Sequence, residues 1–135
     1  MWISFITKIK YIFVLWIVFQ CESFASRLYP EKAYQEFWCD KYGGKTEVKL
    51  SDKTRVDCVL GDYAIEFDFA NKWGESIGQS LYYGHTLNKK AGIVLIMECP
   101  SYDERYLKRL MTVANLHNIT VWTITPNDLD CNVSY

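Results

Sequence analysis

The period of the apolar positions changes several times along this chain, and each change marks an element. Over residues 30–44, Tyr34, Phe37 and Trp38 fall at helical spacing. Pro30 suits a first turn, Glu31 complements the positive end and Gly43-Gly44 stop the run, so a helix is predicted here. From 45 to 50 the pattern alternates instead: Thr46, Val48 and Leu50 take one face of a strand, Glu47 and Lys49 the other. A turn at 51–53 leads to a second strand over 54–60. Gly61-Asp62 then turns the chain into a third strand over 63–69. Connections this short predict an antiparallel meander.

Beyond residue 70 the period lengthens again. Trp73, Ile77 and Leu81 recur every four residues across 71–88, with Asn71 as the expected N-cap. Lys72, Ser76, Gln79 and Tyr83 form a second stripe beside them. Residues 91–98 are a continuous apolar run, the pattern of a strand buried on both faces. Ser101 and Glu104 stand at capping-box spacing ahead of an amphipathic helix over 101–118, and His117 complements its negative end. Residues 119–124 form a last strand. The order α-β-β-β-α-β-α-β predicts one α/β domain, a mixed sheet flanked by helices.

The first 25 residues stand apart from that domain. Lys8 and Lys10 precede an apolar run over 11–19, and Ser23 and Ala25 are small residues at the −3 and −1 positions of a cut after Ala25. This is the layout of a secretory signal peptide. An uncleaved anchor is the alternative, although a spanning helix needs ~20 apolar residues. The division expected is 1–25 signal peptide, 26–126 the domain and 127–135 a tail. The mature protein is expected in the periplasm or secreted, without stable membrane insertion after cleavage.

Export changes two counts. Loss of Lys8, Lys10 and Glu22 takes 15 basic and 16 acidic residues to 13 and 15, a net charge of −2. A net-negative domain attracts polyanions only through a local patch. The best candidates are Lys41, Lys45, Lys49, Lys53 and Arg55, with Lys89-Lys90 further on. Four cysteines remain, Cys39, Cys58, Cys99 and Cys131, which allow two disulfides in three pairings. Alternatively Cys58 and Cys99, beside apolar strand residues, are buried thiols. Without a CxxC pair, and with His85 and His117 far apart, a zinc module is excluded.

The candidate chemistry lies on the second and third strands. Glu66 and Asp68 share a face with Ala64, while Ile65, Phe67 and Phe69 take the other. If the Gly61-Asp62 turn pairs these strands, Asp57 lies beside Glu66. Neighbouring carboxylates raise each other's pKa unless a cation neutralises them. Oxygen-rich sites with open positions suit Mg²⁺ or Mn²⁺. A solvated sheet face is the plain alternative. The following helix begins beside the acids with Lys72, where backbone N–H groups favour an anion.

This element order, with an acid on the second strand and Glu-x-(charged residue) on the third, resembles the PD-(D/E)XK nuclease superfamily. That superfamily spans restriction-endonuclease-like enzymes, Holliday-junction resolvases and RecB-like exonucleases. The resemblance covers residues 30–125, and Gln79 and Tyr83 match the Gln-x-x-x-Tyr element of the RecB-like branch. It implies a restriction-endonuclease-like core acting on DNA, with Asp57 and Glu66 as Mg²⁺ or Mn²⁺ ligands and Glu31 as a further acidic ligand. Gln79 and Tyr83 would orient substrate phosphate or metal waters, and a homodimer is one assembly open to such a domain. The departure is Asp68, which stands where the family places a lysine. Either Lys72 supplies the cation and Asp68 becomes a third ligand or base, or the domain has lost catalysis and binds nucleic acid or a protein partner. Trp38 and Trp73 could stack on unpaired bases, but their helical spacing assigns them to the core.

Overall fold

The computed structural model describes residues 27–130, so the expected signal peptide and Cys131 lie outside the described residues. Helix α1 (Glu31–Lys41) is followed by β1 (Lys45–Lys49), β2 (Arg55–Leu60) and β3 (Tyr63–Phe69). A 3-10 turn (Ala70–Lys72) runs into α2 (Trp73–Leu87), then come β4 (Lys90–Ile96), α3 (Pro100–His117), β5 (Thr120–Ile124) and α4 (Pro126–Asp130). The strands lie in the order β1-β2-β3-β4-β5. The first three are antiparallel neighbours; β4 and β5 join in parallel. This is the mixed, helix-flanked sheet that the sequence predicts. Among the described residues no helix is long and apolar enough to cross a membrane.

Strand alternation divides the core in two. Ile65, Phe67, Phe69, Val94 and Ile96 face α1, where Tyr34, Trp38 and Cys39 cover them. Trp38 packs edge-on to Phe67 and against Trp122, a core position and not a stacking platform. On the other face Ile93 and Leu95 meet Leu110 and Ala114 of α3, with Trp73, Ile77 and Leu81 of α2 half-buried at their edge. The most buried seam of α2 is instead Ser76, Ser80, Tyr83 and Gly84. Small residues let this helix lie close to the sheet: a Cβ on Gly84 would stand 3.1 Å from the Ala91 nitrogen. The seam's hydroxyls are satisfied within the helix, Ser76 donating to Trp73 O and Ser80 to Ile77 O.

Two helix starts differ from expectation. Asn71 lies in the 3-10 turn and accepts a bond from Arg27 at 2.9 Å, and Lys72 takes the N-cap position of α2. Helix α3 begins earlier than the Ser101–Glu104 box, with Pro100 in its first turn. There the Asp103 carboxylate accepts the Cys99 N–H at 3.0 Å. The helix ends follow the pattern, Asn88 and Asn118 closing α2 and α3 at φ 52° and 53°. Part of the expected tail forms α4, capped by Asp128, which accepts from both the backbone and the hydroxyl of Thr125.

One disulfide joins Cys39 of α1 to Cys58 of β2. The alternative of two buried thiols fails at both: Cys58 is in the disulfide, and Cys99 is exposed at the head of α3 with no disulfide among the described residues. Gly44 passes directly over the bridge. A Cβ there would lie 2.6 Å from one sulfur and 2.7 Å from the other. Both sulfurs are held by their bond, so neither can swing aside. Gly44→Ala is expected to cost about 1–3 kcal/mol, read as a lower urea midpoint at unchanged slope. An unaltered midpoint would refute this packing.

Candidate active site

The site forms where two strands part. β3 pairs with β4 at seven positions, Tyr63 to Phe69. It pairs with β2 only from Leu60 back to Cys58. Beyond Cys58 the strands separate, and Asp57 is the first residue outside the ladder. The cause lies across β2: Glu47 on β1 takes φ 54°, and the Glu47–Asp57 pair is missing between Thr46–Cys58 and Val48–Val56. The distortion switches faces. Cys58 packs with Ile65, whereas Val56 packs with Ala64 and Tyr83, although regular alternation would put both on one side.

Side chains satisfy the backbone groups that the parted ladder releases. Gln35, 3% exposed, donates from Nε2 to the Asp57 carbonyl at 2.7 Å and lies 3.1 Å from Glu47 Oε1. Asp57 Oδ2 in turn accepts the Phe67 N–H at 2.8 Å. Gln35 is thus a structural keystone that the sequence reading did not single out. The only signal was a polar residue next to Tyr34 on the buried side of α1. Glu98, which carried no functional reading, is a second hub: its Oε1 accepts from Leu28 N–H and Tyr34 O–H.

Four carboxyls meet at the opening. Glu66 and Asp68 come from β3 and are 3% and 5% exposed. Half-buried Asp57 comes from β2 and Glu31 from the first turn of α1. Burial is the main force raising the pKa of Glu66, followed by the charge of Asp57, with Glu31 adding to it. Burial also raises Asp57, against the opposing Phe67 N–H. Asp57 and Glu66 thus interact, and the charge of Asp57 makes ionisation of Glu66 harder. Asp68 is pushed up to about 6 by burial and then by Glu31, while Lys72 opposes. Glu31 is raised by burial and by Asp57, with Lys72 and Arg27 opposing. The acids are thus linked, Glu31 to the other three and Asp57 to Glu66 and Asp68, and the exposed Lys72 opposes the rise at Glu31 and Asp68.

The stripe on α2 divides. Tyr83 is buried beside the acids, and its hydroxyl pKa is raised by burial, with a Thr54 hydrogen bond opposing and Glu66 and Asp57 adding to the rise. Gln79 is exposed and bonds to none of the four carboxylates. The structure thus brings together Asp57, Glu66, Asp68, Glu31, Lys72 and Tyr83, and leaves Gln79 on the solvent side. Among the described residues no group of three or more His, Cys, Asp or Glu side chains stands in a metal-holding arrangement. Mg²⁺, however, is commonly held by one or two carboxylates, with waters and phosphate completing its shell. Asp57 and Glu66 suit that smaller requirement, because the buried Glu66 Oε1 has no hydrogen-bond partner. Comparison with family models, curated proteins and solved structures gave no match.

Proposed function

We propose that this chain is an exported, metal-dependent nuclease of the PD-(D/E)XK kind that hydrolyses phosphodiester bonds of DNA. One observation carries the reading: buried Glu66 with an unpartnered oxygen beside half-buried Asp57, at a gap between strands, with Lys72 acting on the neighbouring Asp68. Burying unpaired acids costs stability, and such a cost is typically kept where a function uses it.

Asp57 and Glu66 would hold Mg²⁺ or Mn²⁺, which when bound supplies positive charge that ionises the pair and polarises the phosphate. Asp68, with its pKa raised to about 6, sits in the range that suits a general base near neutrality and takes the proton of the attacking water. Lys72 stands in for the displaced motif lysine and stabilises the charge that builds on the phosphate oxygens. Glu31 would add a further acidic ligand, its charge partly offset by Lys72, and the Tyr83 hydroxyl orients the phosphate. Gln79, on the exposed side of α2, meets the substrate strand outside the pocket.

A second reading has its own support. Asp68 occupies the lysine position, and among the described residues no three acids stand in a metal-holding arrangement. A nuclease fold without catalysis, binding nucleic acid or a protein partner, fits these two facts. The deciding experiment is cleavage of plasmid and single-stranded DNA with Mg²⁺ or Mn²⁺. Wild type is expected to cut and Asp57→Ala/Glu66→Ala to be silent; equal behaviour of the two removes the enzymatic reading.

A further inference from the structure

Next to the carboxylates, at the C-terminal ends of the parallel strands β3 and β4, lies a cleft of about 430 Å³. Its walls include Arg27, Asn71, Glu98, Tyr102 and Tyr106. Crevices beyond the carboxyl ends of parallel strands are the usual ligand sites of open α/β sheets, and this volume lies within the ~300–1,000 Å³ of small-molecule sites. Asn71 immediately precedes Lys72, so the cleft and the acid cluster share a wall.

Two wall residues of the cleft, Tyr102 and Tyr106, belong to an aromatic and cationic ladder on α3 whose Arg105 and Arg109 lie outside the lining. Tyr102, Arg105, Tyr106 and Arg109 recur every three or four residues and therefore share a face of α3. The Arg105 guanidinium lies 3.6 Å from the Tyr102 ring centre and 4.6 Å from that of Tyr106. Arg109 stands 5.8 Å from Tyr106. Tyr102 is 56% exposed, so part of its ring is open to a ligand. The two acids lining the cleft are already engaged. Glu98 accepts backbone and tyrosine donors and pairs with Arg27 at 3.8 Å, and Asp103 caps the Cys99 N–H. Their charge is therefore partly offset, and their remaining lone pairs can accept from the amino groups of a base.

We propose that this cleft is a stacking site for an unpaired nucleobase, so that the nuclease substrate is single-stranded nucleic acid or a duplex end. The proposal rests on the nuclease reading for its substrate class. A base inside a duplex has both faces covered and cannot enter a cleft, whereas an unpaired base presents a free ring to Tyr102. The strand's phosphates then run past Arg105 toward Lys72 and the acids. Stacking reads ring faces, not base edges, so little sequence preference is expected.

The test is equilibrium binding of the full chain, with a chelator present, to fluorescent oligonucleotides of about 12 residues: oligo-dT, oligo-rU and a DNA duplex. Single strands are expected to bind at least about tenfold tighter than the duplex, with Tyr102→Ala losing about tenfold and Tyr102→Phe losing little. Preference for either single strand supports the proposal and names the sugar. Equal binding of single strand and duplex, no binding, or an unaltered Tyr102→Ala overturns it. Because binding is read with chelator and cleavage with Mg²⁺ or Mn²⁺, Tyr102-dependent binding by a protein silent in the metal-containing cleavage assay would reject the nuclease and keep the stacking site. Cleavage without such binding would do the reverse.

Discussion

Glu66→Gln is expected to give a protein that cuts DNA at least about 10²-fold more slowly yet is more stable than wild type at pH 8. Glu66 is buried, its Oε1 has no partner, and burial with the nearby Asp57 charge raises its pKa. A carboxyl raised in the folded state binds more protons there than in the unfolded chain. Its stabilising contribution is therefore complete below the unfolded pKa and lost as pH rises through the folded value. For Asp68 that window runs from 3.8 to about 6; Glu66 extends it upward. An amide carries no charge and can donate to Asp57, so removing the unsatisfied acid is expected to return about 1–3 kcal/mol at pH 8. The advantage should shrink toward pH 4. Mg²⁺ should raise the melting temperature of wild type and not of the variant, since only a ligand-binding native state gains. Thermal melts at pH 4, 6 and 8, with chelator and then with Mg²⁺, check both parts. A variant less stable than wild type at every pH would show that Glu66 is not a burdened acid.

Cys39→Ala/Cys58→Ala is expected to lose roughly 3 kcal/mol, the chain-entropy value for a loop of this size. The bridge spans 19 residues and closes α1 onto β2. Typical total stabilities are about 5–15 kcal/mol, so the loss is a large fraction. The same link keeps Gln35 and Glu31 of α1 beside Asp57 of β2, and β2 has only a three-pair ladder to β3. Loosening it should therefore weaken metal binding as well as the fold. In urea titrations a reductant should bring wild type down to the variant and leave the variant unmoved. A wild type indifferent to reductant would contradict the bridge. Such dependence also agrees with export to an oxidising compartment.

What the sequence made legible was periodic. The α-β-β-β-α-β-α-β order follows from changes of apolar period, and the partition of β3 into Ile65, Phe67 and Phe69 against Ala64, Glu66 and Asp68 follows from strict alternation. The placement of Asp57 near Glu66 needed only one turn to be right. Other features were hidden because they depend on residues distant in sequence. The face switch between Val56 and Cys58 arises from Glu47 on the neighbouring strand. Gln35 is polar at a buried position, where a pattern of side-chain types points outward. Ser76 and Tyr83 were placed on a second stripe, but Ser80 and Gly84 escaped notice as their buried neighbours, because an apolar stripe measures side-chain hydrophobicity, whereas packing here rewards close backbone approach. Asn71 lost its cap role to the 3-10 turn and to Arg27, which lies 44 residues away.

The bend at Glu47 has a consequence beyond the site. Among the described residues β1 has β2 as its sole strand neighbour, so its outer side offers unpaired donors and acceptors. A straight edge of that kind would invite another chain to extend the sheet. Here the edge is only five residues long, breaks direction at its centre and carries exposed Lys45 and Lys49 on either side of the break. The distortion that opens room for the carboxylates also closes this edge to aggregation.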